Sequence, residues 1–193
     1  MTRGLESATN PVNAIETNIR MSFPPVERHD SEPGLFSLTQ MQHLMRVEFA
    51  RSQRYGYALG CLTIVIDRLG SLRDLYGFDS KENIVQEVVA VMRRETRSSD
   101  YVGRTPDDKL LCIVPHTPAE GLARMGERIL DSVRGLEFAS DGRTYKITVS
   151  IGASSAEPGA TLFFDALLEG SQEALDAALE AGGDRYIDHP VGG

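Results

Sequence analysis

The sequence predicts an α/β fold, an α+β sandwich in which a mainly antiparallel central sheet is flanked by helices. Three observations carry this expectation. Apolar residues recur at helical spacing in four separate stretches. Residues 58–66 form a nearly unbroken apolar run rich in β-branched side chains, the signature of a strand buried on both faces. Two short apolar runs meet across Pro106-Asp107-Asp108-Lys109, as the arms of a hairpin would. Helix, strand, helix, hairpin, helix and further strands close into such a sandwich.

Taken in order, residues 1–29 carry Gly4, Pro11, Pro24 and Pro25 and show no sustained period. They read as a flexible tail with a short helical turn near residues 14–20. The domain is expected over residues 30–189, with a second tail at 190–193. Leu38, Met41, Met45 and Phe49 share one side of a helix ending near Arg54. After the 58–66 strand, Ile84, Val85, Val88, Val89 and Met92 line a second helix that ends near Arg97. Strands around 101–104 and 110–114 flank the PDDK turn. Pro115 and Pro118 mark the next junction, and Leu122, Met125, Ile129 and Val133 form the stripe of a third helix. Two strands, 136–140 and 145–151, are expected to join at Asp141-Gly142. A last helix over 161–181 stops at Gly182-Gly183, where a left-handed cap fits.

The chain has 193 residues and a net charge of −8, which argues against broad nucleic-acid binding because phosphate neutralisation needs a basic surface. Of 20 basic residues 17 are arginine, a bias suited to planar recognition of phosphate, carboxylate or guanine edges and also produced by a GC-rich genome. Cys61 and Cys112 each fall in an apolar strand and read as buried thiols in a reducing compartment. The longest mostly apolar stretch, residues 57–66, is too short to cross a bilayer, and no signal peptide opens the chain. These features predict a cytoplasmic protein without membrane insertion. His29, His43, His116 and His189 share no ligand spacing and are expected to be structural or exposed.

One spacing points to function. Arg97-Ser98-Ser99-Asp100 lies five intervening residues before Pro106-Asp107-Asp108-Lys109-Leu110. Composition alone predicts about one R-x-x-D, and four occur, so the offset carries the information rather than the motif. The pair resembles the GGDEF family, the diguanylate cyclases that join two GTP into cyclic di-GMP, in which an R-x-x-D inhibitory site (the I-site) precedes the Gly-Gly-Asp/Glu-Glu-Phe turn by that interval. Asp30-Ser31-Glu32-Pro33-Gly34-Leu35 is similar to the family's D-x-L-T-G-L opening. Glu48-Phe49-Ala50-Arg51-Ser52-Gln53-Arg54 resembles its E-x-x-R-A-x-R helix end, and Thr148-Val149-Ser150-Ile151-Gly152-Ala153 its V-S-I-G-V strand. The resemblance covers about four-fifths of the chain and implies the same fold.

The resemblance also implies a degenerate catalytic half. The family's first metal-binding Asp falls on Val65, whose apolar side chain cannot coordinate Mg²⁺. Asp67 survives two residues later, on the same face as Val65 only if the strand stays regular. In the turn, Pro106 and Asp107 replace two glycines that let backbone approach the nucleotide, Asp108 matches the family's third-position acid, and Lys109 reverses the charge of the following Glu. The guanine-reading Asn falls on Arg73, the second guanine-reading acid on Glu82, and the phosphate-binding Lys and Arg of the last helix on Leu179 and Gly183. The expectation is a chain without cyclase activity, holding no catalytic metal or other cofactor.

The I-site residues, by contrast, are all present. Arg97 and Asp100 supply R-x-x-D, Arg128 matches the second Arg from the following helix, and Arg51 matches one that can reach the ligand from a second domain. An Arg fork can donate to O6 and N7 of guanine, while Asp accepts from its N1–H and N2–H edge. On helical spacing Arg97 and Asp100 share one face of a turn. The other reading makes Arg97 a helix C-terminal cation paired with Asp100 at the surface. The resemblance therefore implies a cyclic di-GMP receptor acting through ligand-induced homodimerisation or a protein partner. A ligand-independent interaction module is the alternative, and GTP binding without turnover a third.

Overall fold

The computed structural model describes residues 35–140, 142–159 and 164–190. The expected tail at 1–29, its helical turn, the 30–34 opening motif and residues 191–193 lie outside these. A six-stranded sheet is ordered β1-β3-β4-β2-β7-β8, and a two-stranded ribbon, β5-β6, stands apart from it. β1 (Phe36–Ser37) leads into helix α1 (Leu38–Tyr55). Ser37 caps α1 by accepting from the Gln40 N–H while Gln40 Oε1 accepts from the Ser37 N–H, a complete capping box, and Gly56 closes the helix in the left-handed region at φ 70°.

The central strand β2 (Leu59–Ile66) pairs antiparallel with β4 (Leu110–Pro115) on one side and β7 (Val149–Ala156) on the other. β3 (Tyr101–Arg104) pairs antiparallel with β4. Only β1 with β3 and β7 with β8 (Tyr186–Pro190) run parallel, so the sheet is mainly antiparallel as expected.

Strand alternation divides the core into two layers. Leu62, Ile64 and Ile66 of β2, with Leu110, Cys112 and Val114 of β4, face α2 (Leu69–Glu95) and α3 (Ala119–Arg134). Cys61, Leu111 and Ile113 face α1 and α4 (Phe164–Glu180), where they pack with Met41, Met45 and Leu167. The two cysteines are thus buried and free on opposite faces. α4 lies close enough to β7 that a Cβ on Gly152 would stand 2.2 Å from Leu175 N and Ser171 O.

Two expectations need correction. The predicted 145–151 strand is two elements. β6 (Arg143–Tyr145) pairs only with β5 (Phe138–Ser140) in the ribbon, and β7 begins at Val149 in the main sheet. Alternation shows that a segment is extended but not which ladder it joins, and the chain changes ladders across 146–148. The second helix begins fifteen residues before Ile84, at Leu69, and is interrupted at Gly77 (φ 87°, ψ 173°). It stops at Glu95, near Arg97 as expected.

Candidate ligand site and the neighbouring cleft

The turn between β3 and β4 closes on its own side chains. Thr105 N–H donates to Lys109 O (2.9 Å) and Asp108 N–H to Thr105 O (3.1 Å), leaving Pro106, Asp107 and Asp108 as a three-residue loop. Asp108 takes the left-handed conformation (φ 64°) that such a loop requires. Thr105 Oγ1 donates to Asp107 Oδ1 at 2.5 Å and accepts from the Lys109 N–H at 3.0 Å. Pro106 has no N–H to offer a ligand.

Behind the loop runs a chain of ion pairs. Arg104 donates to both Glu82 oxygens (2.5 and 3.0 Å) and, through Nε and Nη2, to Asp108 Oδ1 (3.1 and 2.5 Å). Lys81 Nζ meets Asp108 Oδ2 at 2.5 Å. The hydrogen bond from Arg104 holds the Glu82 carboxyl below its ordinary value. Burial pushes Asp108 upward, but Lys81 and Arg104 outweigh it, so it too titrates low. Between this network, the end of β2 and the first turn of α2 lies a cleft of about 400 Å³ lined by Val65, Ile66, Arg68, Leu69, Arg73, Lys81, Asp107 and Asp108.

Val65 occupies that cleft at the position the family resemblance assigns to a metal ligand. Asp67 does not stand in for it. β2 ends at Ile66, and Asp67 lies in the following turn, accepting from Thr148 Oγ1 (2.6 Å), Ser150 Oγ (2.7 Å) and the Asp184 N–H (3.1 Å). Gly183 (φ 78°) sits against it; a Cβ there would be 3.1 Å from Asp67 Oδ1. Arg73 points its guanidinium at Asp74 (2.9 Å), Lys109 meets Asp107 (3.3 Å), and Leu179 is exposed. Among the described residues no group of three or more His, Cys, Asp or Glu could hold a metal ion. Mg²⁺ takes oxygen ligands, whereas Val65 brings no side-chain oxygen to the cleft and Asp108 is already shared by Lys81 and Arg104.

The four positions that the family resemblance assigns to an I-site divide between two places. α2 ends at Glu95, Thr96 is extended (φ −97°, ψ 159°), and Arg97–Asp100 form a tight turn rather than the expected helical one. Asp100 N–H donates to Arg97 O (3.0 Å), and Asp100 Oδ2 accepts from the Arg97 N–H (2.7 Å). Burial raises the Asp100 carboxyl, opposed by that N–H. The Arg97 side chain is exposed and makes no direct salt bridge among the described residues, although its charge still favours the ionised Asp100 carboxyl. Arg128, on α3, meets the same junction: Nε donates to Glu95 Oε2 and Nη2 to Glu95 O, both at 3.0 Å.

Arg51 stands on α1, in the opposite layer. It donates to Glu48 Oε1 at 2.6 Å, and the buried Glu48 also accepts from Tyr57 (2.9 Å) and Tyr101 (3.1 Å). Burial and the Glu48 bond push the Tyr57 phenol up to about 12. Sequence reasoning missed Lys81, Arg104, Glu95 and this tyrosine pair. Apart from Tyr57–Glu48 and Arg104–Asp108, their partners are 22 to 53 residues away, and no local spacing marks them.

The sheet order, the four helices and the β3–β4 turn beside a cleft define a GGDEF-type domain. The family model described as the diguanylate cyclase GGDEF domain matches residues 27–185, and the chain belongs to that family. It is 28% identical to the diguanylate cyclase DosC of Escherichia coli over 185 residues, covering 91% of this chain and 39% of that protein. It is 26% identical over 137 residues to diguanylate cyclase A of Treponema denticola, covering 71% of this chain and 36% of that one. The chain thus spans well under half the length of these relatives. The GGDEF domain of DgcB from Caulobacter crescentus, solved with c-di-GMP, superposes with a TM-score of 0.76 at 20% identity over 80% of this chain and 91% of that one. Diguanylate cyclase SiaD from Pseudomonas aeruginosa, solved with its activator SiaC, gives 0.75 at 25% identity over 83% and 62%. Among the described residues no helix is long and apolar enough to cross a membrane.

Proposed function

We infer that this domain is a GGDEF-family receptor for cyclic di-GMP without cyclase activity. The observation that carries the reading is the contrast between its two turns. At the α2–β3 junction, the Arg97 guanidinium is exposed and makes no direct salt bridge among the described residues, while Arg128 is brought against Glu95, two residues before Arg97 in the chain. At the β3–β4 junction, every charged side chain already has a partner within the protein. A bis-guanine, doubly anionic ligand finds arginine forks and a carboxylate at the first, with chemistry suited to guanine edges and phosphodiester oxygens. At the second, a triphosphate would meet Asp107 and a turn without glycine, and Val65 offers no oxygen to the metal that two-metal phosphoryl transfer needs. Arg51, in the other layer, serves ligand held by a second copy.

Calorimetric titration of the purified protein with cyclic di-GMP, beside a GTP turnover assay, tests this. Saturable binding without product is expected; turnover, or no binding up to high micromolar ligand, overturns it. A second reading, a ligand-independent interaction module, draws support from Leu75 (72% exposed) and Phe78 (63%), two large apolar side chains flanking the Gly77 break beside the cleft. It is favoured if a partner binds equally with and without ligand.

A further inference from the structure

We propose that Glu95 is the positioning residue of the cyclic di-GMP site, holding Arg128 so that one edge of its guanidinium faces the ligand. The proposal rests on the receptor reading above and concerns a residue that the I-site motif does not include. Glu95 ends α2 and is mostly buried at the side chain. Its carboxylate is fixed from α3 twice: Oε1 accepts from Ser132 Oγ (3.1 Å) and Oε2 from Arg128 Nε (3.0 Å). Its carbonyl oxygen takes Arg128 Nη2 (3.0 Å).

A guanidinium has five N–H donors in a rigid fork. Glu95 engages the side edge, Nε with one hydrogen of Nη2. The end edge remains, Nη1 with the second hydrogen of Nη2, and that edge forms the paired donor geometry which matches guanine O6 and N7 or two phosphodiester oxygens. A free arginine side chain carries large rotamer entropy, lost when it binds. With the side edge already clamped, most of that loss is met in the unliganded protein, and the end edge is presented in one orientation. The Glu95 carboxyl titrates low chiefly because of its Arg128 bond, so the clamp is charged at neutral pH.

Equilibrium binding of cyclic di-GMP to wild type, Glu95→Ala, Glu95→Gln, Arg128→Ala and the Glu95→Ala/Arg128→Ala double variant tests the proposal, with a thermal melt of each. Glu95→Ala is expected to weaken binding roughly 5- to 30-fold, a fraction of a full bidentate contact. Glu95→Gln, which keeps one acceptor oxygen, should recover part of that loss. The decisive readout is the cycle: if Glu95 acts through Arg128, the double variant binds no more weakly than Arg128→Ala alone, whereas a merely structural role makes the two losses add. Unchanged or tighter binding by Glu95→Ala overturns the proposal, tighter binding meaning that Glu95 competes with the ligand for Arg128. If wild type binds and Arg97→Ala weakens it while Glu95→Ala does not, the receptor reading stands and this one fails. If wild type does not bind, both fall.

Discussion

Replacing Arg104 with Gln removes the cation common to two carboxylates and tests whether the β3–β4 turn is locked by charge. The side chains of Arg104, Glu82 and Asp108 are 24%, 29% and 25% exposed, which places them between surface and interior. Exposed pairs contribute about 0.2–1 kcal/mol, and stripping one partner from a fully buried pair costs about 3–5 kcal/mol, so the intermediate setting gives a loss of about 2 kcal/mol. Lys81 still neutralises Asp108, and the larger share of the loss falls on Glu82. With a urea slope of about 2 kcal/mol/M, the midpoint should fall by about 1 M with the slope unchanged. The pH dependence adds a second constraint. Both carboxyls titrate below their ordinary values of 4.5 and 3.8 in the fold. Their pairing therefore contributes fully above those values and is lost as pH falls through the lowered ones, so wild type and variant should converge in acid. A midpoint shift under about 0.2 M at pH 7 refutes the reasoning, as does a gap that does not narrow as the pH is lowered into acid.

Three further outcomes are expected. Neither wild type nor the triple variant Pro106→Gly/Asp107→Gly/Lys109→Glu should convert GTP with Mg²⁺ or Mn²⁺, because Val65, Leu179 and Gly183 remain; cyclic di-GMP above background from either sample would contradict this. Arg97→Ala should weaken cyclic di-GMP binding by roughly 5- to 150-fold and Asp100→Asn should also impair it, whereas Arg51→Ala should reduce ligand-induced dimerisation, read by light scattering, more than initial binding. Gly152→Ala should destabilise the domain by about 3 kcal/mol or more in urea, since its Cβ would meet helix backbone rather than a side chain able to move; a midpoint within about 0.3 M of wild type would show that α4 can retreat from β7.

The parts of this molecule visible in the sequence are those fixed by local periodicity and by turn chemistry. β2 announced itself because both its faces are buried, and α3 because only one is. Pro106 and Asp108 marked a hairpin whose three-residue loop needs a proline-tolerant first position and a left-handed last one. The first turns of α2 were not visible: before Gly77 only Leu69 is buried, so no apolar stripe forms to reveal a helix. The split between β6 and β7 was hidden for a different reason, since extended backbone looks the same in either ladder. At the candidate site, the offset between Arg97-Ser98-Ser99-Asp100 and the PDDK turn located both junctions. The partners that define their electrostatics were not legible. Glu82 reaches Arg104 across 22 residues and Glu95 reaches Arg128 across 33, and such pairings exist only once the chain has folded.

Those two glutamates lie on one helix, and that arrangement links the two junctions mechanically. Glu82 and Glu95 are thirteen residues apart on the uninterrupted part of α2 beyond Gly77, about 20 Å at 1.5 Å per residue. One holds the tip of the β3–β4 hairpin through Arg104, and the other holds α3 through Arg128. The buried stripe between them, from Ile84 to Met92, packs on the sheet and keeps the helix from sliding. Arg97–Asp100 is the short link from the end of this helix into β3, whose far end is Arg104. Both ends of the R-x-x-D segment are thus set by a single rigid strut and a four-residue strand. On the receptor reading proposed above, the ion pairs behind the β3–β4 turn have a use of their own. By fixing the hairpin tip they fix the strand that positions Asp100, and so hold the Arg97–Asp100 turn in one geometry without a nucleotide to order the β3–β4 loop.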